Sequence, residues 1–157
     1  MQAALTTSRL PPNDWVPQSR MAALPFKLIT PIKTVFEGDA ELVIAVTTEG
    51  EEGILAQHAP FLSALKPGVL RANITENGAT RRLELATSEG LMQALPDSLT
   101  VLVDDALTFE EVDVAAARVE LAEATERQKA ATEPHVYARE QAIIDFANAK
   151  LRLTGHH

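Results

Sequence analysis

Hydrophobic and polar positions alternate with period two, in short runs cut by turn signals, from Leu24 to Val103, and switch to helical spacing from Glu110 onward. Phe26, Leu28 and Thr30 alternate with Lys27 and Ile29 before Pro31 stops the run. Glu37-Gly38-Asp39 predicts a turn. Beyond it Leu42, Ile44 and Val46 share one face and Glu41, Val43 and Ala45 the other. Because the second face is also largely apolar, this strand is expected to be central and covered on both sides. Val69 to Ile74 and Arg81 to Thr87 flank Asn77-Gly78, which supplies the two positive-φ residues of a type I′ hairpin turn. Leu83 and Leu85 share a face of the second run. Ser88-Glu89-Gly90 turns again, Leu91 to Leu95 is short, Pro96-Asp97 turns, and Leu99, Val101 and Val103 alternate before Asp104-Asp105. Short strands at this spacing predict an antiparallel β-sandwich over residues 23–109.

The stretch from Thr48 to Gly68 departs from the alternation. Gly50 and Gly53 tolerate positive φ, Pro60 fixes a bend, and Pro67-Gly68 has the order of a type II turn, so a shaped loop is predicted rather than a strand or helix. It carries Ile54, Leu55, Phe61, Leu62 and Leu65. Apolar groups in that number are expected to divide between the sandwich core and a partner's surface.

From Asp113, a natural N-cap, the sequence VAAARVELAEATERQKAA is helix-forming throughout, with Glu123 and Arg127 at the stabilising i,i+4 spacing. Thr132-Glu133-Pro134 breaks it and starts a second helix reaching about Leu153. Its stripe is Ala138, Ala142, Phe146, Ala149 and Leu153, with Ile143, Ala147 and Leu151 beside it. The fold class is therefore α+β: a sandwich followed by an antiparallel helical hairpin over residues 110–157. An alanine seam permits close approach but contributes less per residue than a leucine seam, so the hairpin is expected to be moderately anchored and able to leave the sandwich.

Composition narrows the function. The 157 residues are 46% apolar, enough for a core, and contain no cysteine, which excludes disulfides and thiolate sites. Residues 1–22, with three prolines and no apolar face, are read as a flexible leader, Met21 being the start of the functional part. No apolar run approaches the roughly 18 residues of a membrane span. The formal charge is −8, with 8 Lys and Arg against 15 Asp and Glu before residue 112 and 6 against 7 after it. Such a chain, without a basic stripe, is a poor ligand for nucleic acid or anionic lipid.

Catalytic signatures are missing: no phosphate loop, dinucleotide fingerprint, HExxH or nucleophile elbow occurs. His58 lies in the shaped loop, His135 at a helix start, and His156 and His157 at the C-terminus, none with a partner at metal-ligand spacing. His58 is expected to hold the loop through backbone hydrogen bonds. Glu49, Glu51 and Glu52 read as a solvated acidic turn, and Gly50 to Gly53 spells the GxxG of an RNA-binding loop with acids where phosphates would sit. No catalytic residue, cofactor or metal is expected.

The pattern Gly50-x-x-Gly53-Ile54-Leu55-x-x-His58-Ala59-Pro60 with Leu65-x-Pro67-Gly68, followed by LTVLVDDA and a helical hairpin, resembles the epsilon subunits of bacterial F-type ATP synthases, equivalent to the mitochondrial delta subunit. The resemblance covers about Phe26 to Leu153. It implies a non-catalytic central-stalk subunit that joins the gamma subunit to the c-ring, with a hairpin that lies on the sandwich or extends toward the catalytic alpha and beta subunits and restrains hydrolysis. It also implies a peripheral position on the cytoplasmic face of the bacterial inner membrane, or the matrix side of the mitochondrial one. The candidate contacts are Ile54, Leu55, His58, Phe61 and Leu62 for gamma or the c-ring. Arg118, Arg127, Lys129, Arg139, Lys150 and Arg152 are candidates for acidic surfaces of the catalytic subunits, against an ordinary solvated helix face.

Two departures stand out. Some members bind ATP through Ile/Leu-Asp-x-x-Arg-Ala; here Val112 to Ala117 places Ala116 where the arginine would be, so weak or absent ATP sensing is expected. The family's usual Gly-Gly is here Glu89-Gly90. From other function classes, a free-standing adaptor with a partner-binding hairpin and a small hydrolase built on His58 remain as alternatives.

Overall fold

The computed structural model describes residues 23–155, so the leader and His156 and His157 lie outside it. Nine strands precede the helices: β1 Leu24–Ile29, β2 Thr34–Thr47, β3 Gly50–Ile54, β4 Phe61–Leu65, β5 Gly68–Glu76, β6 Ala79–Thr87, β7 Gly90–Leu95, β8 Ser98–Val103 and β9 Ala106–Leu107. One layer runs β4-β7-β8-β1 and the other β3-β2-β5-β6-β9. At 14 residues β2 is long enough to serve both. It pairs β1 through Thr34 to Ala40, and β5 and β3 through Asp39 to Thr47. All neighbours are antiparallel except β1 and β8, where Phe26 lies beside Leu99.

Alternation decides the core. Leu24, Phe26 and Leu28 of β1 point inward with Leu70, Ala72 and Ile74 of β5 and Leu99, Val101 and Val103 of β8. On β2 the pairing with β5 slips between Ala40 and Leu42, so Ala40 and then Val43 and Ala45 all face the core. Leu42, Ile44 and Val46 are half-buried on the opposite face.

Three sequence expectations need correction. Glu37-Gly38-Asp39 is not a turn but continues β2. A Cβ on Gly38 would come 3.0 Å from Phe36 Cζ, so the glycine leaves room for the ring that packs on Phe26, centroids 5.4 Å apart. Residues 48–68 are not wholly a loop, because β3 and β4 lie within them. Gly50 does take φ +125°, and Gln57 takes the left-handed φ of 66° in the remaining loop. Gly68, however, is not the positive-φ residue of a type II turn. It opens β5, where a Cβ would lie 2.6 Å from Val46 Cγ2. Asn77 and Gly78, at φ 52° and 78°, form the expected hairpin turn.

A 3-10 turn, Phe109–Glu111, leads to α1 Val114–Ala130 and α2 Pro134–Gly155. Asp113 caps α1, its Oδ1 accepting from the Ala116 amide at 3.0 Å. Only α2 packs extensively on the sandwich; α1 packs on α2. The docking contact is a small second core in which Phe146, Ala149 and Leu153 meet Ala86, with Val69, Leu107 and Val112 at its edge. Burying Phe146 and Leu153 contributes roughly 1.5–3 kcal/mol each.

Candidate functional site

The sandwich and the hairpin each carry one feature that core packing does not explain. On the sandwich it is an apolar outer face. Strand alternation turns Leu62 of β4, Leu91 of β7 and Leu102 of β8 outward, and they are 69%, 48% and 49% exposed. The register sets Leu91 opposite Leu102 and Ala64 opposite Leu91, so the three leucines form one patch across adjacent strands. Three large exposed aliphatics on one face of adjacent strands are a candidate docking surface.

The loop beside this face is built from its own residues. The amide of Gln57 donates to the Pro96 carbonyl at 2.9 Å. His58 Nδ1 lies 2.9 Å from the Ala59 carbonyl oxygen, so its proton donates there, and the ring stands edge-on to Phe61 with centroids 4.9 Å apart. That geometry occupies the imidazole structurally. Phe61 is half-buried against the main core, and Leu55 is 41% exposed at the loop's surface. Ile54, one residue before it, is fully buried and belongs with the core, which corrects its place among the contact candidates.

On the hairpin the feature is a set of cross-helix polar ties. Glu140, on α2, is 3% exposed, yet it accepts from Arg127 Nε on α1 at 3.1 Å, with Arg139 at 3.8 Å. Arg127 also lies 3.9 Å from Glu123, one turn back. Lys150 meets Glu120 at 2.9 Å and lies 4.3 Å above the Phe146 ring. Gln128 Nε2 donates to Gln141 Oε1 at 2.7 Å. Lys129 pairs within its own helix, with Glu126 at 3.1 Å. Of the six cations proposed from sequence, only Arg118 and Arg152 have no ion pair among the described residues. Sequence reasoning missed buried Glu140. The available signal was that these cross-helix pairs lie at roughly equal distances on either side of the break at Pro134.

The linker is held by Glu111. Its carboxylate accepts from the Thr108 amide at 2.9 Å and faces Lys33 at 3.6 Å. The Thr108 backbone contact first, then its hydroxyl and Lys33, hold the Glu111 pKa below the ordinary carboxylate range. A depressed pKa means that the contact is complete above the ordinary glutamate range and is lost as pH falls through the lowered value. The Glu111 carboxyl signal, followed by NMR, is therefore expected to titrate at lower pH than a solvated glutamate. Titration at the solvated value would show the linker cap to be open in solution. Among the described residues no three His, Asp or Glu converge as a metal site.

Residues 23–109 match the family described as ATP synthase, Delta/Epsilon chain, beta-sandwich domain. The chain is 35% identical over 132 residues to the ATP synthase epsilon chain of Chromobacterium violaceum, covering 84% of this chain and 93% of that one. It is 38% identical over 118 residues to ATP synthase epsilon chain 1 of Methylococcus capsulatus, covering 75% and 82%. Among solved structures, a chain of the Euglena gracilis mitochondrial ATP synthase OSCP/F1/c-ring assembly superposes with a TM-score of 0.69 at 20% identity, over 87% of this chain and 82% of that one. A sandwich matched along its whole length, together with a relative 35% identical over 84% of the chain, places the chain in the ATP synthase delta/epsilon family.

Proposed function

We propose that this chain is a non-catalytic subunit of the central stalk of a rotary F-type ATP synthase. Its sandwich binds a gamma-type subunit and faces the c-ring, and its hairpin restrains ATP hydrolysis by reaching toward the catalytic subunits. Sandwich 23–109 and hairpin 110–157 thus act as separable parts. The observation that carries this reading is the exposed leucine face of β4, β7 and β8, on the layer opposite the one that receives α2. Relatives named ATP synthase epsilon chain give the partner its class. Leu62 and its neighbours meet gamma, while Leu55 and the His58 loop lie toward the c-ring. Among the described residues no helix is long and apolar enough to cross a membrane. The proposed place is peripheral, on the inner membrane's cytoplasmic face.

The small second core gives the hairpin a way to leave. Phe146 and Leu153 are its principal large side chains, so a partner offering comparable apolar burial competes with docking. Four of the six candidate cations already have carboxylate partners in the docked form, so a contact through them requires an exchange of partners.

The test is purification of the complex with the tagged full chain and with a chain ending at residue 111. Both are expected to retain a gamma-type subunit, and the shortened chain to raise the ATP hydrolysis rate severalfold. An unchanged rate removes the restraining role and leaves coupling. Failure of the full chain to bring down gamma removes both and favours the free-standing adaptor.

A further inference from the structure

Between the docked hairpin and the end of the sandwich lies an open groove of about 640 Å³. Leu65 and Leu91 wall it on the sandwich side, and Tyr137, Ala138 and Ala142 of α2 face them. Leu91 also belongs to the exposed leucine face, so the groove opens onto the surface assigned above to the stalk partner. Its charges are unbalanced: Glu89, Asp104 and Asp145 against Lys66 alone. Asp145 uses one oxygen to accept from Gln141 at 2.9 Å, and the side chains of Glu89 and Asp104 have no hydrogen bond or ion pair among the described residues.

The form of the groove decides between kinds of occupant. Small-molecule sites enclose most of their ligand's surface. Here Leu91 is 48% and Tyr137 52% exposed, so the walls stand open along their length, as suits a polypeptide segment laid across them. Apolar walls beneath an acidic rim complement a segment with aliphatic side chains on one side and lysine or arginine on the other. We propose that the groove receives such a basic amphipathic segment of the stalk partner, its apolar side on Leu91 and Tyr137 and its cations against Asp104 and Asp145.

This rests on the central-stalk reading and adds regulation to it. Since α2 supplies one wall, the groove exists only while the hairpin is docked. The segment binds the docked state and not the released one, and shifts the equilibrium toward docking by that difference in affinity. The partner that anchors the sandwich is thereby also a clasp on the hairpin.

The test uses the assembled complex, with a photoreactive benzoylphenylalanine in place of Tyr137 or, as control, of Val119, which is 56% exposed on α1 and outside the groove. The expected result is an adduct from position 137, and none from 119, to a partner peptide in which lysine or arginine flanks apolar residues. Adding Glu89→Lys and Asp104→Lys, both at exposed positions, is expected to lower adduct yield about tenfold, as reversing two exposed charge contacts should. A complex that retains the chain but gives no adduct at 137, equal adducts at both positions, an adduct to an acidic peptide, or a yield indifferent to charge reversal overturns the groove assignment. A chain that fails to enter the complex overturns the central-stalk reading itself, and the occupant with it.

Discussion

Gly90→Ala is expected to abolish the folded sandwich or to lower its melting midpoint by about 12 °C or more, as followed by circular dichroism. Gly90 opens β7 between two neighbours, paired with Leu65 of β4 and Val103 of β8. A Cβ there would lie 1.9 Å from the Leu102 carbonyl oxygen and 2.9 Å from the Val103 Cα. These are backbone atoms, so no side chain can rotate away. Overpacking that side chains absorb costs typically 1–3 kcal/mol. Here the β7–β8 ladder itself must move, so about 3 kcal/mol or more is expected, at roughly 4–8 °C per kcal/mol for a domain of this size. Gly78→Ala is the informative control, since its Cβ would meet nothing and only its φ of +78° resists substitution, at a cost of about 1 kcal/mol. A Gly90→Ala protein that melts with the parent would mean that β7 and β8 are not paired as described.

Arg127→Ala is expected to destabilise the hairpin by roughly 2 kcal/mol, read as increased amide exchange across α1 and the first half of α2. The substitution removes the closest cation from a Glu140 side chain that is only 4% exposed. Stranding a buried charge costs about 3–5 kcal/mol, but Arg127 is itself half exposed, and Arg139 remains 3.8 Å from the other oxygen, so the lower figure applies. Glu140→Leu placed on top of Arg127→Ala is expected to recover most of the loss, because the stranded carboxylate is gone and apolar area takes its place. If Arg127→Ala leaves exchange unchanged, the tie contributes nothing and the alanine seam alone joins the helices.

What the sequence made legible, and what it hid, follows from how far each signal is local. The Asn77-Gly78 turn, the Asp113 cap and Pro134 at the start of α2 depend on backbone preferences of neighbouring residues, and all three were readable. Gly38 and Gly68 misled because their role is set by side-chain packing, along β2 for Gly38 and across strands for Gly68. They make room for Phe36 and Val46, so reading glycine as a turn signal placed a turn inside β2 and a loop over β4. The leucine face was visible only in part. Leu62 was singled out, but Leu91 and Leu102 join it through pairing register, which a single chain does not print. Arg127 and Lys150 looked free for the same reason, since Glu140 and Glu120 lie on the other helix, whereas Lys129 and Arg139 pair with Glu126 and Glu140 of their own helices.

The parallel pairing of β1 with β8 has a consequence in time rather than space. It joins Phe26 to Leu99, so the sandwich cannot close until almost all of its length has been synthesised. Contacts of such long sequence separation are slow to form, whereas the α1–α2 hairpin needs only its own residues and a short turn. The chain therefore places its slow, late-closing part first and its fast, self-contained part last. A ribosome still holding the hairpin in its tunnel already exposes every strand needed to close the sandwich. The surface that later receives α2 is thus ready before its occupant emerges.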